Sequence, residues 1–291
     1  MSQVTTSTGR TCVIDDPEVD LVREIEAGLL PPRCHGWPGG QVAAKRIASA
    51  LGGDFHNVIS GPEDRHSLVV GTVAGPGLFA ALAKTAISSA VRKFGRVNRS
   101  SRTMIGHLRS LLDRINAGLR SPRVTCSLFH ALVDRSGGTL EYCNAGHCHA
   151  FVWMRSGEMH ELQDTGPTLG TRTQRDDDCG SFDLSALQRL IVLTAGLTTA
   201  CSASGELFGI ARGKRLLNDT VRLPADQQID AVVRTLREHV GPDSMLTEDA
   251  TVFVTEFEED VAHSEAGAAT AWLRTCEQEL GTVPDSSIYL G

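Results

Sequence analysis

The stretch His66-Ser67-Leu68-Val69-Val70-Gly71-Thr72-Val73-Ala74-Gly75-Pro76-Gly77, continued by residues 78–94, decides how this chain is read. His66 to Val73 is a mostly apolar, β-branched run, the pattern of a buried strand. Ala74-Gly75-Pro76-Gly77 stops it, with proline near the first helical position, where its fixed φ and missing N–H are tolerated. Beyond it, Phe79, Leu82, Ala83, Ala86, Ile87, Ala90, Val91 and Phe94 recur at three- and four-residue steps. That spacing predicts a helix with one apolar stripe. A second helix is predicted over Ser101–Leu119, where Met104, Ile105, Leu108, Leu111, Leu112, Ile115 and Leu119 repeat the period. Both stripes are mostly aliphatic, which points to core packing rather than to a cofactor face.

Outward from this unit the period changes to two. Gln41–Ile47, Phe55–Ile59, Val124–Val133, Thr139–Asn144, Ala150–Met154, Arg189–Thr194 and Thr251–Phe257 read as strands, with turns at 134–138, 145–147 and 155–158. A helix is predicted over Ala225–Val240, with Ile229, Val232, Val233, Leu236 and Val240 on one face. Another is predicted over Asp20–Leu30, ended by Pro31-Pro32. Strands mixed with helix pairs, and no linker-like break, indicate one layered α+β domain over 19–257. Residues 1–18 read as a disordered tail. Residues 258–291 read as a C-terminal extension with a helix around Ala266–Leu280.

Composition narrows the function classes. The chain has 291 residues, with 28 Lys plus Arg against 35 Asp plus Glu, a formal charge of −7. An acidic balance disfavours nucleic-acid or anionic-membrane binding, which needs a basic face. The amino terminus lacks the basic and apolar regions of a signal peptide, and no apolar run approaches the ~20 residues of a membrane span. A cytoplasmic protein is therefore expected. Eight scattered cysteines without a CxxC pair are expected to be reduced, mostly buried thiols.

Several segments, in order, resemble the SpoIIE/RsbU-type branch of the metal-dependent (PPM, type 2C) serine/threonine phosphatases. They are Ile25–Leu30, Gly36-Trp37, Gly52-Gly53-Asp54-Phe55, the Gly71–Gly77 turn with its helix, and Asn144-Ala145-Gly146-His147. Gly166-Pro167-Thr168-Leu169-Gly170, Thr194-Ala195-Gly196, Gly205-Glu206-Leu207-Phe208-Gly209 and Glu248-Asp249-Ala250-Thr251 continue the match. The resemblance implies a four-layer αββα sandwich. It also implies a Mn²⁺ or Mg²⁺ pair that activates water for attack on phosphoserine or phosphothreonine.

Such hard cations require several carboxylate oxygens. The family's pattern places aspartates at four positions, of which this chain keeps Asp54 and Asp249. Thr72 stands where the family has its bridging aspartate, and Ala195 where it has another. Losing even an outer-shell partner costs about 10–100-fold in metal affinity or activity, so losing two ligands implies roughly 10²–10⁴. Asp54 and Asp249 are accordingly read as vestigial metal positions, with no catalytic residue and no cofactor expected. Glu63, Asp64, Asp176-Asp177-Asp178 and Glu248 are the acidic residues that could restore ligation, and Mn²⁺ or Mg²⁺ would then be the cofactor.

Three rival motifs are weaker. Cys143, His147, Cys148 and His149 crowd together but match no standard zinc spacing. His147-Cys148 with Arg155 lacks the glycines and spacing of a cysteine-phosphatase loop. Gly209-Ile210-Ala211-Arg212-Gly213-Lys214 has one residue too few for a P-loop, so its basic residues read as a solvated surface. The expected function is therefore a pseudophosphatase acting by binding. By resemblance, its partner would be a phosphorylated STAS-domain anti-sigma-factor antagonist in a partner-switching pathway, with a homodimer as a further expectation. The alternative is an active phosphatase with altered ligands.

Overall fold

The computed structural model describes residues 34–258 other than 38, 50–51, 76, 98–99, 119–123, 148, 172–177, 242–243 and 245. The expected tail, the Asp20–Leu30 helix and residues 259–291 lie outside the described residues.

Two antiparallel sheets stack face to face. One contains β1 (Cys34–Trp37), β2 (Gly40–Ile47), β11 (Ala250–Phe257), β10 (Leu187–Leu193), β7 (Ala150–Met154) and β8 (Met159–Leu162), in that spatial order. The other contains β3 (Asp54–Ser60), β4 (Arg65–Ala74), β5 (Thr125–Asp134), β6 (Thr139–Ala145) and β9 (Gly180–Asp183). Helices α1 (Gly77–Gly95) and α2 (Ser101–Gly118) cover the five-stranded sheet. A one-turn helix α3 (Ala195–Thr199), with α4 (Ile210–Thr220) and α5 (Ala225–Val240), covers the six-stranded one. The result is the αββα sandwich, and no described helix is long and apolar enough to cross a membrane.

Strand β4 shows why this sequence stacks in layers. Leu68 and Val70 enter the apolar layer between the sheets, with Phe129, Val192 and Phe253. Val69 and Val73 point the other way, into the layer under α1 and α2, against Ile87, Val91 and Leu108. Side chains alternate faces along a strand, so a run apolar at consecutive positions, as at Leu68-Val69-Val70, is the pattern for a sheet covered on both sides. The helical stripe of α1 supplies the third layer: Ala83, Ile87 and Val91, at four-residue steps, are fully buried.

The strand and helix boundaries expected from periodicity match the structure to within one or two residues, and the Ala225–Val240 helix matches at both ends. Three elements run against expectation. Segments 34–37 and 180–183 are short sheet-edge strands, held by backbone pairing to β2 and β6 rather than by any apolar run. The basic segment 210–215 opens α4, because Leu217 and Ile210 on its inner face pack against the six-stranded sheet. Its charged side is solvated, with Arg212 bonded to Glu206 and Lys214 to Glu161.

Candidate active-site cleft

A cleft of about 360 Å³ opens at the end of the sandwich, where β3 begins and β4 ends. The separate sequence segments of the family pattern converge on it: Gly52, Gly53, Asp54, Thr72, Ala195, Gly196, Glu248 and Asp249 all line its wall. Register explains part of this. Asp54 lies opposite Thr72, and Thr72 opposite Ser127, so the three form a row across β3, β4 and β5.

Asp54 is almost completely buried, and its carboxylate accepts three hydroxyl hydrogen bonds. Thr72 Oγ1 donates to Oδ1 at 2.7 Å, while Thr194 Oγ1 and Thr251 Oγ1 donate to Oδ2 at 2.6 and 2.7 Å. Thr194 Oγ1 in turn accepts the Thr251 N–H at 2.8 Å. Thr72 belongs to the same sheet as Asp54, whereas Thr251 lies on β11 of the opposite sheet and Thr194 directly follows β10, at the N-cap of α3. The cluster therefore clasps the two sheets together. Burial raises the Asp54 pKa to about 6, against the opposing pull of the three hydroxyls.

Asp249, also buried, is satisfied differently. Its Oδ1 accepts the Ser49 N–H at 2.7 Å and the Ser49 hydroxyl at 3.1 Å, and its Oδ2 pairs with the Arg46 guanidinium at 3.1 Å. A second cation, Lys84 of α1, is buried nearby and donates to the Gly52 carbonyl at 2.7 Å. Backbone and carboxylate approach closely here. A Cβ on Gly52 would fall 1.7 Å from Asp249 Cγ, and one on Gly196 would fall 2.0 Å from the Asp249 carbonyl oxygen. The Gly196 contact is with rigid backbone, so Gly196→Ala is expected to cost at least about 3 kcal/mol in urea unfolding.

The Asn144–His147 turn lies behind the cleft residue Ser127. Asn144 Oδ1 accepts the His147 N–H at 2.8 Å, and Gly146 takes a positive φ of 64°. His147 is buried, with its Nδ1 3.2 Å from the hydroxyl of Ser127, a cleft residue. Burial first, and then the neighbouring His149, push its pKa down to about 4, so the ring is neutral.

The other expected candidates are distributed elsewhere. Glu63 and Asp64 sit in the β3–β4 turn, at the opposite end of β3 from Asp54, where they bond Arg65, His66 and Arg135. Asp178 is exposed and pairs with Arg102, while Asp176 and Asp177 lie outside the described residues. Of the acidic residues that could restore ligation, Glu248 alone among those described lines the cleft. Arg155 bonds the Ser185, Phe257 and Glu258 carbonyls. The expectation of reduced cysteines is corrected at one place: Cys143 and Cys179 are joined as a disulfide. They meet because β6 and β9 are in register one step away, at Tyr142 and Gly180. Cys148, the third member of the crowded motif, lies outside the described residues. Among the described residues no group of three or more His, Cys, Asp or Glu is arranged to hold a metal ion.

Sequence reading missed Arg46, Thr194 and Thr251. Thr194 and Thr251 stand inside the family-like motifs, but nothing in residue order assigns their hydroxyls a partner.

Comparison with known proteins places the chain in a family and supports the fold. The chain is 27% identical over 251 residues to protein IcfG of Synechocystis, a match covering 77% of this chain and 39% of that protein. It is 24% identical over 165 residues to the phosphoserine phosphatase RsbP of Bacillus subtilis, covering 57% of this chain and 41% of that one. The chain thus spans about two fifths of the length of these curated relatives. The PP2C domain of SiaA from Pseudomonas aeruginosa superposes with a TM-score of 0.66 at 22% identity, over 83% of this chain and 96% of that domain. The profile of the family named for stage II sporulation protein E matches residues 62–258, so the chain belongs to the SpoIIE family of PPM-type, metal-dependent serine/threonine phosphatases.

Proposed function

We propose that this SpoIIE-family domain is a pseudophosphatase, acting by binding in a partner-switching or stress-signalling pathway. The observation that carries the reading is the state of the two remaining carboxylates. Asp54 is tied by three hydroxyls and Asp249 by Ser49 and a guanidinium, while Thr72 and Ala195 contribute no anion. A Mn²⁺ or Mg²⁺ pair needs a dense set of carboxylate oxygens. This donor set does not fit one. Arg46 supplies part of the positive charge that a cation would otherwise bring.

The partner that fits the family is a phosphorylated STAS-domain anti-sigma-factor antagonist, held without dephosphorylation. One relative, RsbP, is a phosphoserine phosphatase, which favours a phosphoserine-bearing partner. Glu248, on the cleft wall, favours the second reading, in which rerouted ligands support turnover.

Hydrolysis of p-nitrophenyl phosphate and of a phosphorylated STAS protein, with and without Mn²⁺, separates the two. The expected result is no Mn²⁺-dependent turnover, together with saturable binding of the phosphorylated STAS protein. Mn²⁺-dependent turnover that disappears in Asp54→Asn would overturn the pseudophosphatase reading.

A further inference from the structure

We propose that Cys143 and Cys179 are an oxidation-sensitive latch that fastens the backbone around Thr165 and Asp178 to the Asn144–His147 turn beside the cleft. The inference concerns a second site and stands whether or not the cleft is catalytic.

Three observations carry it. First, the two residues face each other across neighbouring antiparallel strands, with Cα atoms 4.7 Å apart, inside the range a disulfide requires. Second, their environments differ: Cys143 is fully buried on β6, whereas Cys179, immediately before β9, is only partly buried. An oxidant from solvent therefore reaches Cys179 first, and Cys143 is placed to resolve it. Third, the bond sits within a continuous hydrogen-bonded chain that leads to the cleft. The Asp178 N–H donates to the Thr165 carbonyl at 2.9 Å, and the Thr165 N–H donates to the Asn144 carbonyl at 2.8 Å. The Asn144 N–H donates to Thr165 Oγ1 at 2.8 Å, and Asn144 Oδ1 holds the N–H of His147, which contacts Ser127 in the cleft wall.

The oxidant is a hydroperoxide, taken here as hydrogen peroxide. The Cys179 thiolate attacks one peroxide oxygen, the O–O bond breaks, and a sulfenic acid forms as the first water leaves. The Cys143 sulfur then attacks the Cys179 sulfur, the S–O bond breaks, and the second water leaves. The two thiols lose two electrons, and the peroxide accepts them. A dithiol reductant reverses the reaction by thiol–disulfide exchange.

The chain carries its own controls, because Cys126 is buried with its thiol pKa pushed up by burial, and Cys201 is exposed and unpaired. The full chain is treated with dithiothreitol or with hydrogen peroxide, denatured, and labelled with N-ethylmaleimide before intact-mass measurement. Peroxide is expected to protect two cysteines from labelling. Trypsin should then yield residues 136–155 linked to residues 176–189, with fragmentation placing the bond at Cys143 rather than Cys148. The oxidised form should melt about 5–10 °C higher, as for a native disulfide closing a loop of this size. Its Thr165, Gly166 and Asp178 amides should exchange about tenfold more slowly than in the reduced form. Cys179→Ser should abolish the protection and the difference in exchange, and Cys143→Ala provides the same test from the buried side. Labelling of all eight cysteines after peroxide, or a bond to any other cysteine, would overturn the pairing. A bond formed without any change in exchange at those amides would overturn the latch.

Discussion

Replacing Thr72 and Ala195 together by aspartate is expected to create a Mn²⁺ site in a chain that otherwise binds the ion weakly. In the native protein both positions line the same cleft wall as Asp54 and Asp249, so the double substitution would place four carboxylates around one cavity. The expected gain in affinity is about 10²–10⁴-fold, the product of two ligand contributions. Titration calorimetry reads it directly. A second readout is stability. In the metal-free variant the new carboxylate of Thr72→Asp would stand across from Asp54, where Thr72 now donates a hydrogen bond, and two adjacent carboxylates repel. The apo variant should therefore melt below the native chain. Mn²⁺ at a hundred times its dissociation constant should restore about 2.7 kcal/mol. The native melting temperature should hardly respond to the ion. Adding Arg46→Gln should raise the affinity further, because it frees the Asp249 oxygen that the guanidinium occupies. A folded double variant that ignores Mn²⁺ would show that the four positions do not make a metal site.

Acidification through pH 6.5 to 4.5 is expected to destabilise the fold, because two buried histidines exclude the proton that the unfolded chain accepts. His130 is fully buried, with Ser101 Oγ 2.8 Å from its Nδ1, and burial pushes its pKa down to about 3. His147 is depressed to about 4 for the same first cause. The unfolded chain protonates both rings near the ordinary value of 6.5, whereas the folded chain leaves both neutral until about pH 4. Stability is therefore intact above pH 6.5 and falls as the pH drops toward 4. Between pH 6.5 and 4.5 the two rings together remove on the order of 5 kcal/mol. Asp54 acts in the opposite sense. Its raised pKa means that the folded state takes up a proton below about 6 while the unfolded state does not, which returns about 2 kcal/mol over the same window. The net loss is about 3 kcal/mol. Urea midpoints across this range check it, and His130→Asn should flatten the slope by close to one proton. A native profile flat from pH 7 to 4.5 would contradict the burial of these rings as charge-excluding sites.

Much of the architecture is legible in residue order because it rests on local periodicity. The two-sided apolar run at 66–73 dictates a strand covered on both faces, and the stripes of α1, α2 and α5 dictate what covers it. Where periodicity is weak, tertiary contact decides. Strands β1 and β9 are only four residues long and hold their places through neighbours, and α4 opens on a basic, glycine-flanked segment that resembles a surface loop. The cysteines follow the same rule. Cys143 and Cys179 are 36 residues apart, and nothing in that spacing distinguishes them from the other six; register between β6 and β9 does.

For the site, the sequence by itself singled out Asp54, Thr72, Ala195 and Asp249 as candidates, because they sit inside ordered motifs, and the fold places all four on one cleft. It did not determine what the remaining carboxylates do. That answer required the stacking of the two sheets, which brings Thr194 and Thr251 onto Asp54 from 140 and 197 residues away and Arg46 onto Asp249 from 203. A threonine in a strand reads locally as a β-former. Only when the opposite sheet closes over a buried carboxylate does its hydroxyl become a hydrogen bond that the anion cannot do without.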